Sequence, residues 1–350
     1  MNTRIGEAWL DGLWYYAAPS RSLRAGETRG KVFMNRPVLL GRDRTGVPFA
    51  IADLCPHRGI RLSAGRFDGE HVRCAYHGWK FGPDGVCAAI PSLIPGQTMD
   101  VAKIKVRSYP CRELQGNLWI YLSDVPPPAD ADLGAPFEIP EVGDLVPRVT
   151  TPMTFEAGFE DCLYGLLDPA HTPYVHEGAV WRSSETLQVK EKHYVPSPLG
   201  FTMKRHEPAS NTFVYKIIGG KPTTEISFAL PAVRLEHIRI GAHHICNLTA
   251  MTPVDENRTE VTNLIYWTKP ILNTIRPIVR RVARKFLGQD QWVVALRDRA
   301  CVPDPPLMMI HDADVPQKWY QLLKTEWLRR RREGGEFVNP IQPATLRWRT

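Results

Sequence analysis

The sequence has few cysteines and no long apolar segment. Its seven cysteines are an odd number spread thinly over 350 residues. This argues against the disulfide framework of a small secreted protein and favours metal ligation or core packing. No apolar run is long enough to cross a membrane, and the N-terminus lacks a basic stretch followed by an uninterrupted apolar one. These absences predict a cytoplasmic protein that does not span a membrane.

Dinucleotide-binding and nucleic-acid-binding motifs are also missing. The chain contains no G-x-G-x-x-G fingerprint of a nicotinamide- or flavin-binding domain. Lysine and arginine number 44 against 37 acidic residues, which gives a formal net charge of +7. Such a surplus suits either nucleic acid or an acidic protein partner. Because no recognised nucleic-acid-binding module accompanies the charge, we expect no nucleic-acid binding.

The chain is long enough for two domains. Short strand-like runs between residues 30 and 125, separated by turn signals, predict a small antiparallel β domain. A proline-rich and alanine-rich stretch follows, and strand-like runs return between about 185 and 268. We therefore predict an α+β protein with an all-β domain at 1–130, a linker at 131–145 and a second domain at 146–350.

Helical patterns are concentrated near the end of the chain. Apolar residues recur at three- and four-residue spacing over 273–299, which predicts a helix interrupted near Gly288. Another helix is predicted over 316–331. Both follow the second group of strand-like runs, so the second domain is expected to be an antiparallel sheet flanked by helices.

Two short segments each carry one cysteine closely followed by one histidine. One residue separates Cys55 from His57, and two residues separate Cys74 from His77. A zinc finger usually takes both cysteines from one element and both histidines from another, so this order fits that class poorly. In a Rieske [2Fe–2S] centre two cysteines hold one iron and two histidines hold the other. The pattern therefore favours such a cluster over a zinc site or over buried cysteines beside surface histidines.

A second histidine pair lies in the segment FEDCLYGLLDPAHTPYVHEG. Asp168 precedes His171 by three residues, and four residues separate His171 from His176. Two nearby histidines are candidate ligands for a non-haem iron, which takes two histidines and one carboxylate and leaves positions open. By itself this pair is weak evidence, because histidines often pack or cap without binding a metal.

With both patterns in place, the chain resembles the Rieske non-haem iron oxygenases, specifically their large oxygenase subunit. That family carries Asp-x-x-His-x-x-x-x-His at about this distance after its Rieske domain, and Asp168, His171 and His176 match it position by position. The resemblance covers both domains. It implies an N-terminal all-β Rieske domain that binds a [2Fe–2S] cluster and a catalytic domain that holds a mononuclear Fe(II).

The third iron ligand implied by the resemblance is a carboxylate on a long C-terminal helix. In the family it often follows an acidic or amide residue and precedes an apolar run, and Gln289-Asp290-Gln291-Trp292 has that form. Asp290 is therefore the predicted ligand. Asp298 is its main rival, although it lies between two arginines, where a surface ion pair is the more common role. The motif around Asp168 has one departure: many members of the family carry asparagine three residues before this aspartate, where this chain has Gly165.

The resemblance implies a terminal oxygenase component of the monooxygenase and demethylase branch. Electrons would come from a reduced nicotinamide through a separate reductase, with or without a ferredoxin, and dioxygen would react beside a bound small organic, aromatic substrate. The reductase is expected to be another polypeptide because this chain carries no module for it. A Rieske-type electron carrier or redox sensor is the alternative, and it would not need the second set of ligands.

The resemblance also implies a head-to-tail homotrimer. Within one chain of the family, the cluster and the mononuclear iron lie too far apart for productive electron transfer, and a closed ring of subunits solves this. His77 of one subunit would meet Asp168 of the next, and Asp168 would also reach His171. Asp168 is thus expected to act in electron transfer and not as an iron ligand.

Overall fold

The computed structural model describes residues 9–176, 187–208, 220–297 and 308–350. The chain divides into two compact units, Met1–Glu138 and Ile139–Thr350. The first unit contains three small sheets and the second contains one large sheet with helices. The α+β prediction, with an all-β domain first, is therefore confirmed.

The first unit is built from eleven short strands in the described part of the chain. They are β1 (Leu13–Pro19), β2 (Thr28–Phe33), β3 (Arg36–Arg42), β4 (Pro48–Ala52), β5 (Arg66–Phe67), β6 (Val72–Arg73), β7 (Lys80–Phe81), β8 (Cys87–Ala89), β9 (Ser108–Tyr109), β10 (Cys111–Leu114) and β11 (Asn117–Leu122). Three sheets result, with strand orders β1-β11-β10, β2-β3-β4-β9 and β5-β6-β7-β8. All of these pairings are antiparallel.

A buried apolar cluster anchors the loops that carry the Cys/His pairs. Phe81, Val72 and both loop cysteines belong to it. The start of the first loop is fixed by Asp53, which is 1% exposed and accepts hydrogen bonds from the Ser63 backbone N–H and hydroxyl, each at 2.6 Å. A buried carboxylate that accepts two such bonds holds its loop rigidly, because breaking them would leave a charge unsatisfied.

The second unit contains an eight-stranded antiparallel sheet. Its strands are β12 (Val149–Phe155), β13 (Val189–Ser197), β14 (Gly200–His206), β15 (Pro222–Ala229), β16 (Val233–Ile240), β17 (His243–Asp255), β18 (Arg258–Trp267) and β19 (Ala344–Arg349). Their order is β12-β18-β17-β16-β15-β14-β13-β19. The strands β13 to β18 are thus sequential neighbours, and β12 and β19 close the two edges.

Four α-helices accompany the sheet within the described residues. They are α1 (Phe159–Leu167), α2 (Thr172–Val175), α3 (Arg276–Ala295) and α4 (Val315–Glu333), and 3-10 turns occur at Ser20–Ser22, Leu62–Ala64, Val101–Lys103 and Pro270–Ile275. Helix α3 packs on β12, α1 and α2. Lys324 on α4 lies 2.6 Å from the Glu160 carboxylate on α1, so these two helices are tied together.

The predicted interruption near Gly288 is wrong. Helix α3 runs without a break from Arg276 to Ala295. A glycine inside a helix costs about 1 kcal/mol relative to alanine, and the packing of α3 against the sheet outweighs that local preference. Among the described residues, no helix has the length and apolar character needed to cross a membrane.

Candidate metal centres

Both Cys/His loops are closed by the same pair of backbone hydrogen bonds. The Cys55 N–H donates to the carbonyl five residues on (2.8 Å), and the Gly59 N–H donates back to the Cys55 carbonyl (2.8 Å). In the second loop the matching bonds at Cys74 and Gly78 are 2.9 and 3.1 Å. Gly59 and Gly78 have φ of 68° and 71°, which glycine adopts without strain. Two loops of one shape therefore present one cysteine each.

The loops bring their histidines and cysteines together. The ring centroids of His57 and His77 lie 4.5 Å apart, and Trp79 stacks on His57 at 4.8 Å with 5° between the planes. Cys55 and Cys74 are both buried. Burial raises the pKa of the Cys55 thiol, and the neighbouring Cys74 thiol adds to this effect. The structure thus gathers all four predicted cluster residues at the tips of the two loops.

The His57 ring shows that this arrangement suits an iron–sulfur cluster. Its Nδ1 atom is buried and has no hydrogen-bond partner among the described residues. A buried ring nitrogen without a partner costs free energy, and coordination to iron would supply that partner. Partial burial also lowers the pKa of His57, which favours the neutral imidazole that binds metals. Two thiolates and two imidazoles are the donor set of a Rieske cluster.

In the second unit, His171, His176 and Asp290 converge. The two Nε2 atoms lie 3.3 Å apart, and Asp290 Oδ1 lies 3.6 Å from His171 Nε2 and 3.1 Å from His176 Nε2. Donor atoms that share one first-row metal ion at about 2 Å are expected about 3 Å from one another. The three side chains, a partly buried acid and two imidazoles from a distant segment, therefore fit a two-histidine, one-carboxylate iron site.

The other ring nitrogen of each histidine is held by an oxygen acceptor. His171 Nδ1 donates to the Asp168 backbone carbonyl at 2.8 Å, and His176 Nδ1 donates to Gln289 Oε1 at 3.2 Å. Because neither oxygen can donate, each Nδ1 carries the proton and each Nε2 keeps its lone pair for a metal. Burial lowers the pKa of His171, against the opposing effect of Asp290, and this also favours the neutral ring.

Asp168 ends helix α1 beside this site. The sequence predicts that its carboxylate reaches His171. In the structure the hydrogen bond from His171 is accepted by the Asp168 carbonyl, and carboxylate Oδ2 lies 4.0 Å from His171 Nδ1. Oδ1 accepts the Ala170 backbone N–H at 2.7 Å. Burial raises the pKa of Asp168. The carboxylate therefore lies next to the histidine without bonding to it.

A cavity of ≈590 Å³ lies between the metal-binding helices and the inner face of the large sheet. His171 and Asp290 line it on one side, and side chains of β13 to β18 line the other. Gly165 also lines it. A Cβ built at Gly165 would meet its nearest neighbour, Val294, at 3.7 Å, which is an ordinary contact, so a methyl group fits at this position.

A second group of potential metal ligands consists of Glu141, His237 and His244. Here His237 Nε2 and His244 Nδ1 are hydrogen-bonded to each other at 2.8 Å. Arg239 lies 3.7 Å from the Glu141 carboxylate, where its positive charge competes with any bound cation. None of these residues lines the cavity. His171, His176 and Asp290 are therefore the better placed group for chemistry on a bound molecule.

Two residues beside the histidines were not singled out from the sequence. Phe286 stacks on His176 with ring centroids 3.5 Å apart, and Gln289 fixes the tautomer of the same ring. Phe286 and Asp290 are four residues apart on α3 and so share one helix face. For Gln289, the sequence offered one signal, which is that an amide residue directly precedes the predicted ligand Asp290. The rival ligand Asp298 lies outside the described residues.

Comparison with known proteins decides the family. A Rieske [2Fe-2S] domain model matches residues 13–110. The 4beta-methylsterol monooxygenase of Methylococcus capsulatus is 31% identical over 329 residues, which cover 86% of this chain and 84% of that protein. The chain belongs to the Rieske non-haem iron oxygenases. This oxygenase is also 27% identical to the oxygenase component of chloroacetanilide N-alkylformylase from Rhizorhabdus wittichii over 321 residues (83% of this chain, 87% of the relative).

The fold comparison agrees with the family. The crystal structure of dicamba monooxygenase bound to dicamba matches this oxygenase with a TM-score of 0.72 at 22% identity, covering 93% of this chain and 99% of that one. The protein is thus an oxidoreductase with a [2Fe–2S] cluster and a mononuclear iron. As an oxygenase component, it takes its electrons from a separate reductase or ferredoxin and uses dioxygen. The electron-carrier alternative is not favoured.

Proposed function

We propose that this oxygenase hydroxylates or oxidatively demethylates a small aromatic substrate held in the ≈590 Å³ cavity. The observation that carries the proposal is that His171 and Asp290, two of the three converging ligands, form part of the cavity wall. A molecule in the cavity therefore lies beside the metal site. In this proposal, His171, His176 and Asp290 hold the mononuclear iron.

The same proposal assigns the cluster to Cys55, His57, Cys74 and His77. When bound, the two iron centres supply electron transfer and the activation of dioxygen. The chain's own residues position the reactants: the Asp168 carbonyl and Gln289 orient the two imidazoles, as hydrogen-bonding partners of metal ligands do.

Part of the cavity wall is apolar. Phe155, Leu167 and Phe286 contribute apolar surface on the side of the metal ligands. An apolar wall strengthens electrostatic interactions inside the cavity and protects reactive species from side reactions. Relatives named for an N-alkyl group and for a methylsterol support oxidation at an alkyl carbon of the substrate.

We also propose a head-to-tail homotrimer in which Asp168 joins the electron path between two subunits. The Asp168 carbonyl accepts a hydrogen bond from the proposed iron ligand His171, whereas the Asp168 carboxylate forms no hydrogen bond to that ring. A carboxylate placed there can accept a hydrogen bond from a histidine of a neighbouring subunit. Sedimentation of the purified protein tests the trimer directly, since a fully active monomer would contradict it.

Turnover with a defined electron source tests the activity. The purified protein, a Rieske-oxygenase reductase, NADH and a panel of methoxylated and methylated aromatic compounds should give formaldehyde or a hydroxylated product. Labelled dioxygen should place its oxygen in the product or the released aldehyde. His176→Ala is the matched control, which should keep the cluster's visible spectrum and lose turnover. Loss of both signals, or product without dioxygen, would contradict the proposal.

A further inference from the structure

The cavity floor is formed by one face of the central strands of the large sheet. On β16, Arg234 and Glu236 line the cavity, and Val233 and Leu235 point to the other face. The register pairs Arg234 with Phe228 on β15 and with Thr249 on β17. A single row across the sheet therefore places an arginine between an aromatic ring and a hydroxyl group, all three lining the cavity.

The Arg234 guanidinium makes no hydrogen bond or ion pair within the described part of the chain. Other arginines of this unit have carboxylate partners: Arg205 pairs with Glu225, Arg239 with Glu141, and Arg258 with Asp255. Arg234 is partly buried. Burial raises the pKa of Tyr194, another residue of the cavity wall, and the positive charge of Arg234 opposes this rise. A partly buried cation that has no partner among the described residues is satisfied by water or by a bound anion.

The hydroxyl of Thr249 offers a second donor next to this cation. Thr249 is buried, and its Oγ1 accepts a hydrogen bond from Asn263 Nδ2 at 3.2 Å. Asn263 Nδ2 also donates to Asn247 Oδ1 at 2.5 Å, so this amide is held in place from two sides. Because the Thr249 oxygen already accepts from Asn263, its own hydrogen is left to donate to a group in the cavity.

The acid on the same strand does not neutralise Arg234. Glu236 lies in a different row of the sheet, paired with Ile226 and Asn247. It lies near His206 together with Lys190 and Lys192, since all three charges influence the pKa of that histidine, which burial lowers. Lys190, Lys192 and Glu236 thus share that end of the cavity, outside the row that holds Arg234.

We propose that Arg234 and Thr249 form an anion subsite that binds the carboxylate of an aromatic acid. The planar fork of a guanidinium matches the two oxygens of a carboxylate, and the Thr249 hydroxyl adds a third hydrogen bond. Phe201 and Phe228, which line the cavity with ring centroids 5.3 Å apart, supply the aromatic surface beside it. This inference rests on the proposed function in that the bound acid is the substrate.

Binding of a simple acid to the oxidised holoenzyme, without reductase, tests the subsite apart from turnover. Isothermal titration with benzoate should show an affinity at least tenfold above that for benzamide, which has the same shape and no charge. Arg234→Met should weaken benzoate binding about tenfold to hundredfold, because it removes a charge-assisted hydrogen-bonding partner. Thr249→Val, which keeps the side-chain shape, should weaken it a few-fold. Benzamide should bind all forms alike.

Arg239→Met is the matched control, because it removes an arginine from the same strand that does not line the cavity. It should leave benzoate binding unchanged. Arg234→Gln serves if Arg234→Met does not fold, with the cluster's visible spectrum as the criterion of folding. Equal affinity of the parent protein for benzoate and benzamide would overturn the subsite. So would unchanged benzoate binding in both Arg234 variants, or tight binding of benzenesulfonate with none of benzoate.

Failure of the proposed function gives a different result. Arg234-dependent binding of benzoate, together with no oxidation of any compound in the panel, would leave the anion subsite intact and remove the proposed reaction. Oxidation of methoxybenzoates, at rates and KM values that Arg234→Met does not change, would keep the reaction and overturn the subsite.

Discussion

The Nε2 atom of His176 lies 3.1 Å from the Oδ1 atom of Asp290, although the first residue follows the short helix α2 and the second belongs to helix α3. This is the shortest distance between donor atoms of the site. Phe286, one helical turn before Asp290, stacks on the same imidazole. The rotation of α3 about its axis therefore determines which acid meets the histidines.

Replacing Asp290 tests the third ligand. Asp290→Ala should lose the mononuclear iron and abolish turnover while the cluster's visible spectrum stays intact, because the cluster residues lie in the other unit. Iron should fall from about three to about two per chain by elemental analysis. Asp298→Ala, the rival position, should keep all its iron. If Asp290→Ala keeps its mononuclear iron and Asp298→Ala loses it, the assignment of Asp290 as the third ligand is wrong.

Replacing His57 by cysteine tests the cluster ligands. Histidine ligation raises the potential of a [2Fe–2S] centre well above that of an all-cysteine cluster, so His57→Cys should lower the measured potential by about 100 mV or more. His71→Cys, a change outside the two loops, should leave the potential unchanged. A reduced-state EPR spectrum that does not change in His57→Cys would reject His57 as a ligand.

Asp168→Asn tests the electron path between subunits. The substitution keeps the backbone carbonyl that orients His171 and removes the carboxylate charge, so both metal centres should stay bound. Oxidation of a pre-reduced cluster in a single turnover with substrate should nearly stop. Asp144→Asn, which removes an exposed charge in the same unit, should behave as the parent protein. Cluster oxidation in Asp168→Asn at the parent rate would contradict the bridge.

Gly165→Ala tests whether the helix beside the cavity tolerates a methyl group at this position. The added Cβ would meet only an ordinary contact at 3.7 Å from Val294, and alanine is a better helix former, so unfolding should cost about 0.5–1 kcal/mol more. Gly200→Ala is the opposite case, because its Cβ would lie 1.8 Å from the Phe228 carbonyl oxygen. It should lose about 2 kcal/mol or more. Denaturant titration of both variants measures the two effects, and a destabilised Gly165→Ala would disprove the first.

Part of the site could be predicted from the sequence because its residues lie close to one another along the chain. Each Cys/His loop is closed by hydrogen bonds within six residues, so residues such as Cys55 and His57 come together wherever the loop forms. His171 and His176 are likewise joined by one helical turn. The alternation of strands and the helical periodicity near the end of the chain also predicted an α+β protein. Short-range patterns of this kind depend little on the rest of the fold.

Long-range packing decided the remainder. Gly288 lowers helix propensity locally, yet α3 continues through it because the helix packs on the sheet. The contact of Gln289 with His176 depends on how α3 is rotated, and the row that joins Arg234 to Thr249 depends on strand register. A shift of one residue in a strand would turn Arg234 away from the cavity. The sequence by itself determined the family and the local ligand pairs. The neighbours of the third ligand and the residues of the cavity floor depend on helix rotation and sheet register, because the packing of the whole core sets both.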